Sequence, residues 1–192
     1  MKKFTMSIDV ESNGLWGNAF AVAGIIYNSQ TGEEVDKICL RLSNEIVTDS
    51  WVKENVLPTL NFPVTHTGNI LFDTQIGKEK RLQNAYKEML SDFSDWYKKY
   101  KDESDVLWHM GHIVESHLFR EMHKLGFIGD WDAPYVPIEV SAYLEQTGEA
   151  PDSVDSYVKK HNLDITDYGT THNPLYDCEV AFKCYFHIIN NK

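Results

Sequence analysis

Residues 4–11 constrain this chain more than any other stretch. Phe4, Met6, Ile8 and Val10 alternate with Thr5, Ser7, Asp9 and Glu11, the period of two that a β-strand imposes. One face of that strand is wholly apolar and must pack on a core. The other carries Asp9 and Glu11 two positions apart, so both carboxylates project the same way. A strand this early in a 192-residue chain is expected at the centre of its sheet, with neither face open to solvent. Two adjacent carboxylates in such a place either hold a proton or are neutralised by a cation. The competing reading is an exposed acidic strand end.

The pattern of the remaining residues suggests how that strand is covered. Ala19 to Tyr27 and Lys37 to Leu42 read as strands, with a hairpin turn at Ser29-Gln30-Thr31-Gly32. Ser50 to Val56 suits a short helix capped by Asp49 or Ser50 and stopped before Pro58. Residues 58–77 show no period and are expected to form an irregular excursion. Lys78 to Lys101 carries a helical stripe of Leu82, Tyr86, Met89, Leu90, Phe93 and Tyr97. Val106 to Trp108 is a strand candidate, followed by a helix from Glu115 to Leu125 that Gly126 ends. Tyr135 to Val140 reads as a further strand. Helices follow at 142–146, 153–161 and from about Leu175 to Ile189. Strands first, then helices alternating with strands, imply an α/β fold with a mixed sheet, and the length suits one domain over residues 1–192.

Composition narrows the function. Lys and Arg total 18 against 29 Asp and Glu, a net charge of −11. A protein that grips nucleic acid by a broad basic surface is excluded; an acidic site that works through bound cations is not. The three cysteines, Cys39, Cys178 and Cys184, have neither disulfide-framework nor zinc spacing. No apolar run approaches bilayer-spanning length, and Asp9 and Glu11 interrupt any leader core, so the expectation is a cytoplasmic protein with no membrane partner.

Two more acids sit where apolar side chains belong. Asp177 lies three and four positions before Val180 and Ala181, which continue as the stripe of the last helix, so it points inward as well as suiting the helix dipole. Glu115 likewise heads the face made by Leu118, Phe119, Met122 and Leu125, just after a strand, where α/β proteins bind ligands. Four convergent carboxylates could hold two Mg²⁺ or Mn²⁺ ions about 3.5–4 Å apart, the arrangement that serves phosphodiester cleavage. His172, five residues before Asp177, titrates near neutrality and suits a general base; a surface or capping histidine is the alternative.

These residues resemble the DEDDh group of DnaQ-like 3′–5′ exonucleases. Ser7-Ile8-Asp9-Val10-Glu11-Ser12-Asn13-Gly14 looks like the first motif, and His172-Asn173-Pro174-Leu175-Tyr176-Asp177 is similar to the last. The nearest match to the middle motif is Gly111-His112-Ile113-Val114-Glu115, with Glu in place of the usual Asp and a shorter loop. The resemblance implies an RNase H-like fold, a mixed five-stranded sheet flanked by helices. It also implies a two-metal 3′–5′ exonuclease that releases nucleoside 5′-monophosphates from single-stranded DNA or RNA 3′ ends. Asp9 would bridge both ions, Glu11 and Asp177 would complete the first shell, Glu115 would bind the second ion, and His172 would activate water. Ser12, Asn13, Gly14, Leu15 and Trp16 would receive the terminal nucleotide, the two apolar side chains against its base and backbone amides near Asn13 and Gly14 on its sugar. The rival is an RNase H-like module, disabled by the Asp-to-Glu change, that binds nucleic-acid ends or a protein partner. Self-association as a homodimer is left open.

Other features have plainer readings. His109, His112, His117 and His123 lack the ligand spacing of a zinc site. Lys98, Lys99 and Lys101 read as a solvated helix end, and Trp51, Val52 and Val56 as core. Asp130 and Asp132 are the substitutes for Glu115 should its placement fail.

Overall fold

The fold was obtained as a computed structural model, which describes residues 2–68 and 75–191. Strand β1 (Phe4–Ser12) is central in a five-stranded sheet of order β3-β2-β1-β4-β5. It pairs antiparallel with β2 (Ala19–Asn28) and parallel with β4 (Ser104–Trp108). The edges are β3 (Glu34–Arg41), antiparallel to β2, and β5 (Ile138–Glu139), parallel to β4. The sheet is therefore mixed, as the order of strand and helix patterns implies.

Six α-helices flank it among the described residues: α1 (Ser50–Asn55), α2 (Gln75–Tyr100), α3 (Val114–Lys124), α4 (Val140–Gln146), α5 (Val154–Lys160) and α6 (Pro174–Asn190). The apolar face of β1, Met6, Ile8 and Val10, packs with Leu90 and Phe93 of α2 and Phe119 of α3. Gly24 in β2 makes that approach possible: a Cβ there would lie 2.5 Å from the Trp96 ring. The opposite face of β1 meets α6, where the Ser7 hydroxyl donates to the Cys178 carbonyl at 2.8 Å. The Asp9 and Glu11 side chains belong to this second face.

Three expectations change. β3 begins at Glu34 rather than Lys37, because the antiparallel ladder with β2 reaches back to a pairing of Tyr27 with Glu34. The strand expected over 135–140 shrinks to two residues: Pro134 and Pro137 bracket Tyr135 and Val136 and lack amide donors, Val136 is 89% exposed, and Val140 already opens α4. Val52 and Val56 are buried, but Trp51 is not core; it is 55% exposed on the outer side of α1, which Asp49 caps by accepting from the Val52 amide.

The excursion after α1 is an irregular path with a purpose. A 3₁₀ turn at Leu57–Thr59 is followed by an extended stretch held by Arg41. The buried Arg41 guanidinium donates to the carbonyls of Leu60 and Phe62 and to Asn44 Oδ1. Residues 69–74 of this excursion lie outside the described residues. No described helix is long and apolar enough to cross a membrane.

Candidate active site

Three elements deliver the four acids to one cleft. Asp9 and Glu11 come from the C-terminal half of β1, Asp177 from the first turn of α6, and Glu115 from the first turn of α3. Together with His172 they line a cavity of about 350 Å³. This convergence is what the sequence pattern requires, since β1 lies beside both helix starts.

The cleft is electrostatically unfinished. Asp9 Oδ2 is fully buried and has no hydrogen-bond partner. Burial pushes the Asp9 carboxyl up to about 7. Glu11 is raised well above its ordinary value by burial and then by Asp9, Asp177 and Glu115. Asp177 and Glu115 are raised by burial and then by Asp9. Among the described residues none of the four acids is paired with a lysine or arginine. An orphaned carboxylate oxygen among mutually repelling acids is the condition that a hard divalent cation relieves. The donors, carboxylate oxygens with one imidazole at the edge, fit Mg²⁺ or Mn²⁺. Glu11, His172 and Asp177 each place a ligand atom within 4.8 Å of the other two.

Each acid is held in place. The Asp177 carboxylate accepts the His172 amide at 2.8 Å. Glu115 is only 4% exposed, and the backbone of Val10 and its own partly offset the rise that burial imposes on its carboxyl. The longer Glu side chain is accommodated because residue 111 is glycine: a Cβ there would come within 2.8 Å of Glu115 Oε2 and 2.5 Å of the Trp108 ring.

His172 sits with a left-handed φ of 69°, a conformation that costs free energy in a non-glycine residue and clusters at functional sites. Its surroundings fix it there. Thr59 Oγ1 donates to its carbonyl at 2.9 Å, and Trp51 packs edge-on against its ring, centroids 5.4 Å apart. Nδ1 lies 3.8 Å from Glu11 Oε1. Burial lowers its pKa, opposed by Asp155, which favours the neutral ring.

The loop after β1 divides its residues between building and facing outward. Ser12 Oγ donates to the Gly14 carbonyl, and the amides of Asn13 and Gly14 donate to the carbonyls of Asn18 and Ser12. Asn13 Oδ1 accepts from the amides of Thr48 and Asp49 and so ties the start of α1 to β1. Leu15 lines the cleft, and Trp16 stands out from the loop, 73% exposed.

Several residues of the site escaped sequence reasoning. Asn173, fully buried, caps α6 by accepting from the Leu175 amide and donates to Asn61 Oδ1 at 2.8 Å. An Asn just before Pro at the first helical position carries that signal. Asp155 lines the cleft and accepts from the Tyr176 and Thr171 hydroxyls, and Glu139 accepts from the amides of Met110, Gly111 and Ser141; neither has a local sequence signature. The four histidines 109, 112, 117 and 123 do not gather: His109 meets the Pro151 carbonyl, His117 Asn18 and His123 Asp130. Asp130 and Asp132 lie outside the cleft, on His123 and Lys101. The lysines at the end of α2 are engaged at the surface, Lys98 with Asp95, Lys99 with Asp36 and Lys101 with Asp102.

The mixed five-stranded sheet with its flanking helices has the fold of several solved exonuclease structures. The nuclease domain of 3′hExo, a DEDDh family member bound to rAMP, matches with a TM-score of 0.65 over 99% of this chain and 93% of its own, at 14% identity. A 3′-exonuclease recognising the 3′ end of histone mRNA stem-loop matches at 0.62 over 99% and 83%, and exonuclease X in complex with 5′ overhanging duplex DNA at 0.57 over 98% and 92%, both at 14% identity. At such identities the likeness establishes the fold. No protein-family model matches the chain, and no curated protein matches it in sequence.

Proposed function

We propose that this chain is a metal-dependent 3′–5′ exonuclease of the DEDDh group acting on single-stranded DNA or RNA ends. The observation that carries the reading is the convergence of Asp9, Glu11, Glu115 and Asp177 around a buried, unpartnered Asp9 oxygen. Asp9, Glu11 and Asp177 would hold one Mg²⁺ or Mn²⁺ ion, and Asp9 with Glu115 a second. Such ions, when bound, supply positive charge at the scissile phosphate and acidify water.

The chain's own groups then have defined tasks. His172, neutral and held by Thr59 and Trp51, takes a proton from the attacking water. The water oxygen bonds to phosphorus as the bond from phosphorus to the O3′ of the preceding nucleotide breaks. That O3′ takes up a proton, and a nucleoside 5′-monophosphate leaves. Leu15 and Trp16, at the rim, cover the terminal base. Nucleic-acid 3′ ends of both kinds are consistent with the bound partners of the fold's neighbours.

The test is digestion of 5′-labelled single-stranded RNA and DNA with Mn²⁺. The expected result is stepwise shortening from the 3′ end with release of nucleoside 5′-monophosphates, abolished by EDTA. Retention of the strand without shortening would overturn the reading in favour of a binding module.

A further inference from the structure

Beside the acidic cleft lies an apolar groove to which the proposed reaction gives no role. Met110, held at a left-handed φ of 57°, lines both the cleft and a neighbouring cavity of about 550 Å³ walled by Trp108, Pro134 and Tyr135. Trp108, Ser116 and Pro134 are shared in turn with a cavity of about 420 Å³ that Phe119, Arg120 and His123 close. Tyr135, on the groove wall, stacks with Trp131 beyond it, centroids 5.6 Å apart and planes at 19°; Trp131 is 80% exposed. Stacked aromatic rings left open to water fit planar ligands.

Charge points the same way. The acids near the groove are occupied: Asp130 by His123, and Glu139 by the amides of Met110, Gly111 and Ser141. Arg120 lines the groove with no ion-pair partner among the described residues. In a chain of net charge −11, an unpaired guanidinium beside apolar walls suits a phosphate backbone.

We propose that this groove carries the nucleotides 5′ of the scissile end, their bases on Trp131 and Tyr135 and their backbone at Arg120. The inference rests on the exonuclease reading, which puts the 3′ terminus in the cleft. The strand behind that terminus needs a path out, and Met110 lines both the groove and the cleft. Stacking of this kind tolerates sequence and replaces the broad basic surface that the chain lacks. A protein partner would need no such path into the cleft.

The test measures binding by fluorescence anisotropy in the Asp9→Asn chain, which keeps the labelled strand intact. A single-stranded dodecanucleotide should bind more tightly than a trinucleotide. Trp131→Ala with Tyr135→Ala should lower dodecanucleotide affinity by about tenfold or more, with Trp131→Phe retaining most of it. Arg120→Ala should reduce the salt slope by about 0.7, the loss of one phosphate contact on a single strand. Unchanged affinity and slope in these variants would overturn the proposal and leave the aromatic lip to a protein partner. Equal affinity for the two lengths in the parent chain would overturn it as well. Length-dependent binding lost in the variants, beside a native chain that shortens nothing with Mn²⁺, would sustain the groove and sink the exonuclease reading.

Discussion

The two helix starts that deliver Asp177 and Glu115 perform one task with opposite construction. At α6 the terminus is capped: Asn173 accepts from the Leu175 amide, Pro174 fills the first helical position, and the His172 amide holds Asp177. At α3 the residue before the helix is Ile113, which offers no capping side chain. Order there comes from outside the helix, through the close Gly111 backbone and the Glu139 carboxylate on the amides of Met110 and Gly111. An acid on a self-capped helix is short and fixed locally. An acid on an uncapped helix is longer and fixed by its neighbours.

The largest effects should come from removing charge at either end. Asp177→Asn is expected to lower kcat by about 10³-fold or more, measured as nucleotide release with Mn²⁺. Glu115→Asp should cost less, roughly 10–100-fold, and show chiefly as a rise in half-maximal Mn²⁺, because the shorter acid retreats from the cleft. Equal losses in both variants would break the contrast between the two termini.

The proposed general base belongs to the α6 terminus. His172→Ala should lower kcat by about 10²–10⁴-fold at neutral pH. Trp51→Ala, which removes the edge contact on the ring, should weaken kcat more than KM. A pH–rate profile identical to the parent's in His172→Ala would remove the histidine from proton transfer.

The difference between the ends also explains what was readable beforehand. Asp9 and Glu11 stood out because a period of two puts both on one face, and Asp177 because it continues the apolar stripe of α6. His172 and Asp177 lie five apart on one local structure, so sequence spacing and spatial proximity coincide. At α3 they do not: Glu139 acts on the Met110 amide from 29 residues away, and a carboxylate that accepts distant amides leaves no periodic trace. Asp155 was silent for the same reason, since Tyr176 is 21 residues off. The mixed sheet and its central first strand followed from pattern, whereas the short β5 and the exposed Trp51 did not. Bracketing prolines remove ladder donors, and residue 51 lies on the side of α1 that Val52 and Val56 leave to solvent.

Both ends meet at Asp9, and metal removal should expose that shared charge. The Asp9 carboxyl is raised from 3.8 to about 7 in the fold, so the folded state holds a proton that the unfolded chain has lost. Its contribution to stability is present below the unfolded value and disappears as pH rises through the folded one. Each such group lowers stability by at most about 1.4 kcal/mol per pH unit in that window. Thermal melts in EDTA should therefore fall between about pH 4 and about pH 7. Mn²⁺ should abolish the fall, and Asp9→Asn should flatten it. A flat profile in the EDTA-treated parent would mean that burial does not hold these carboxyls above their ordinary range.

The smallest effects test the two constructions themselves. Asn173→Ala removes a helix cap and the bond to Asn61 Oδ1, and should cost about 1–2 kcal/mol of stability. Gly111→Ala forces a Cβ to within 2.5 Å of the Trp108 ring and 2.8 Å of Glu115 Oε2; overpacking of this kind costs about 1–3 kcal/mol. The stability losses overlap, but the metal dependence should not. Asn173→Ala leaves the bond from the His172 amide to Asp177 in place, because neither the backbone donor nor the carboxylate acceptor involves the Asn173 side chain. Gly111→Ala must displace either Trp108 or the Glu115 carboxylate, so half-maximal Mn²⁺ should rise in this variant and stay near the parent value in the other. A rise of equal size in Asn173→Ala would show that the α6 terminus is no more self-contained than α3.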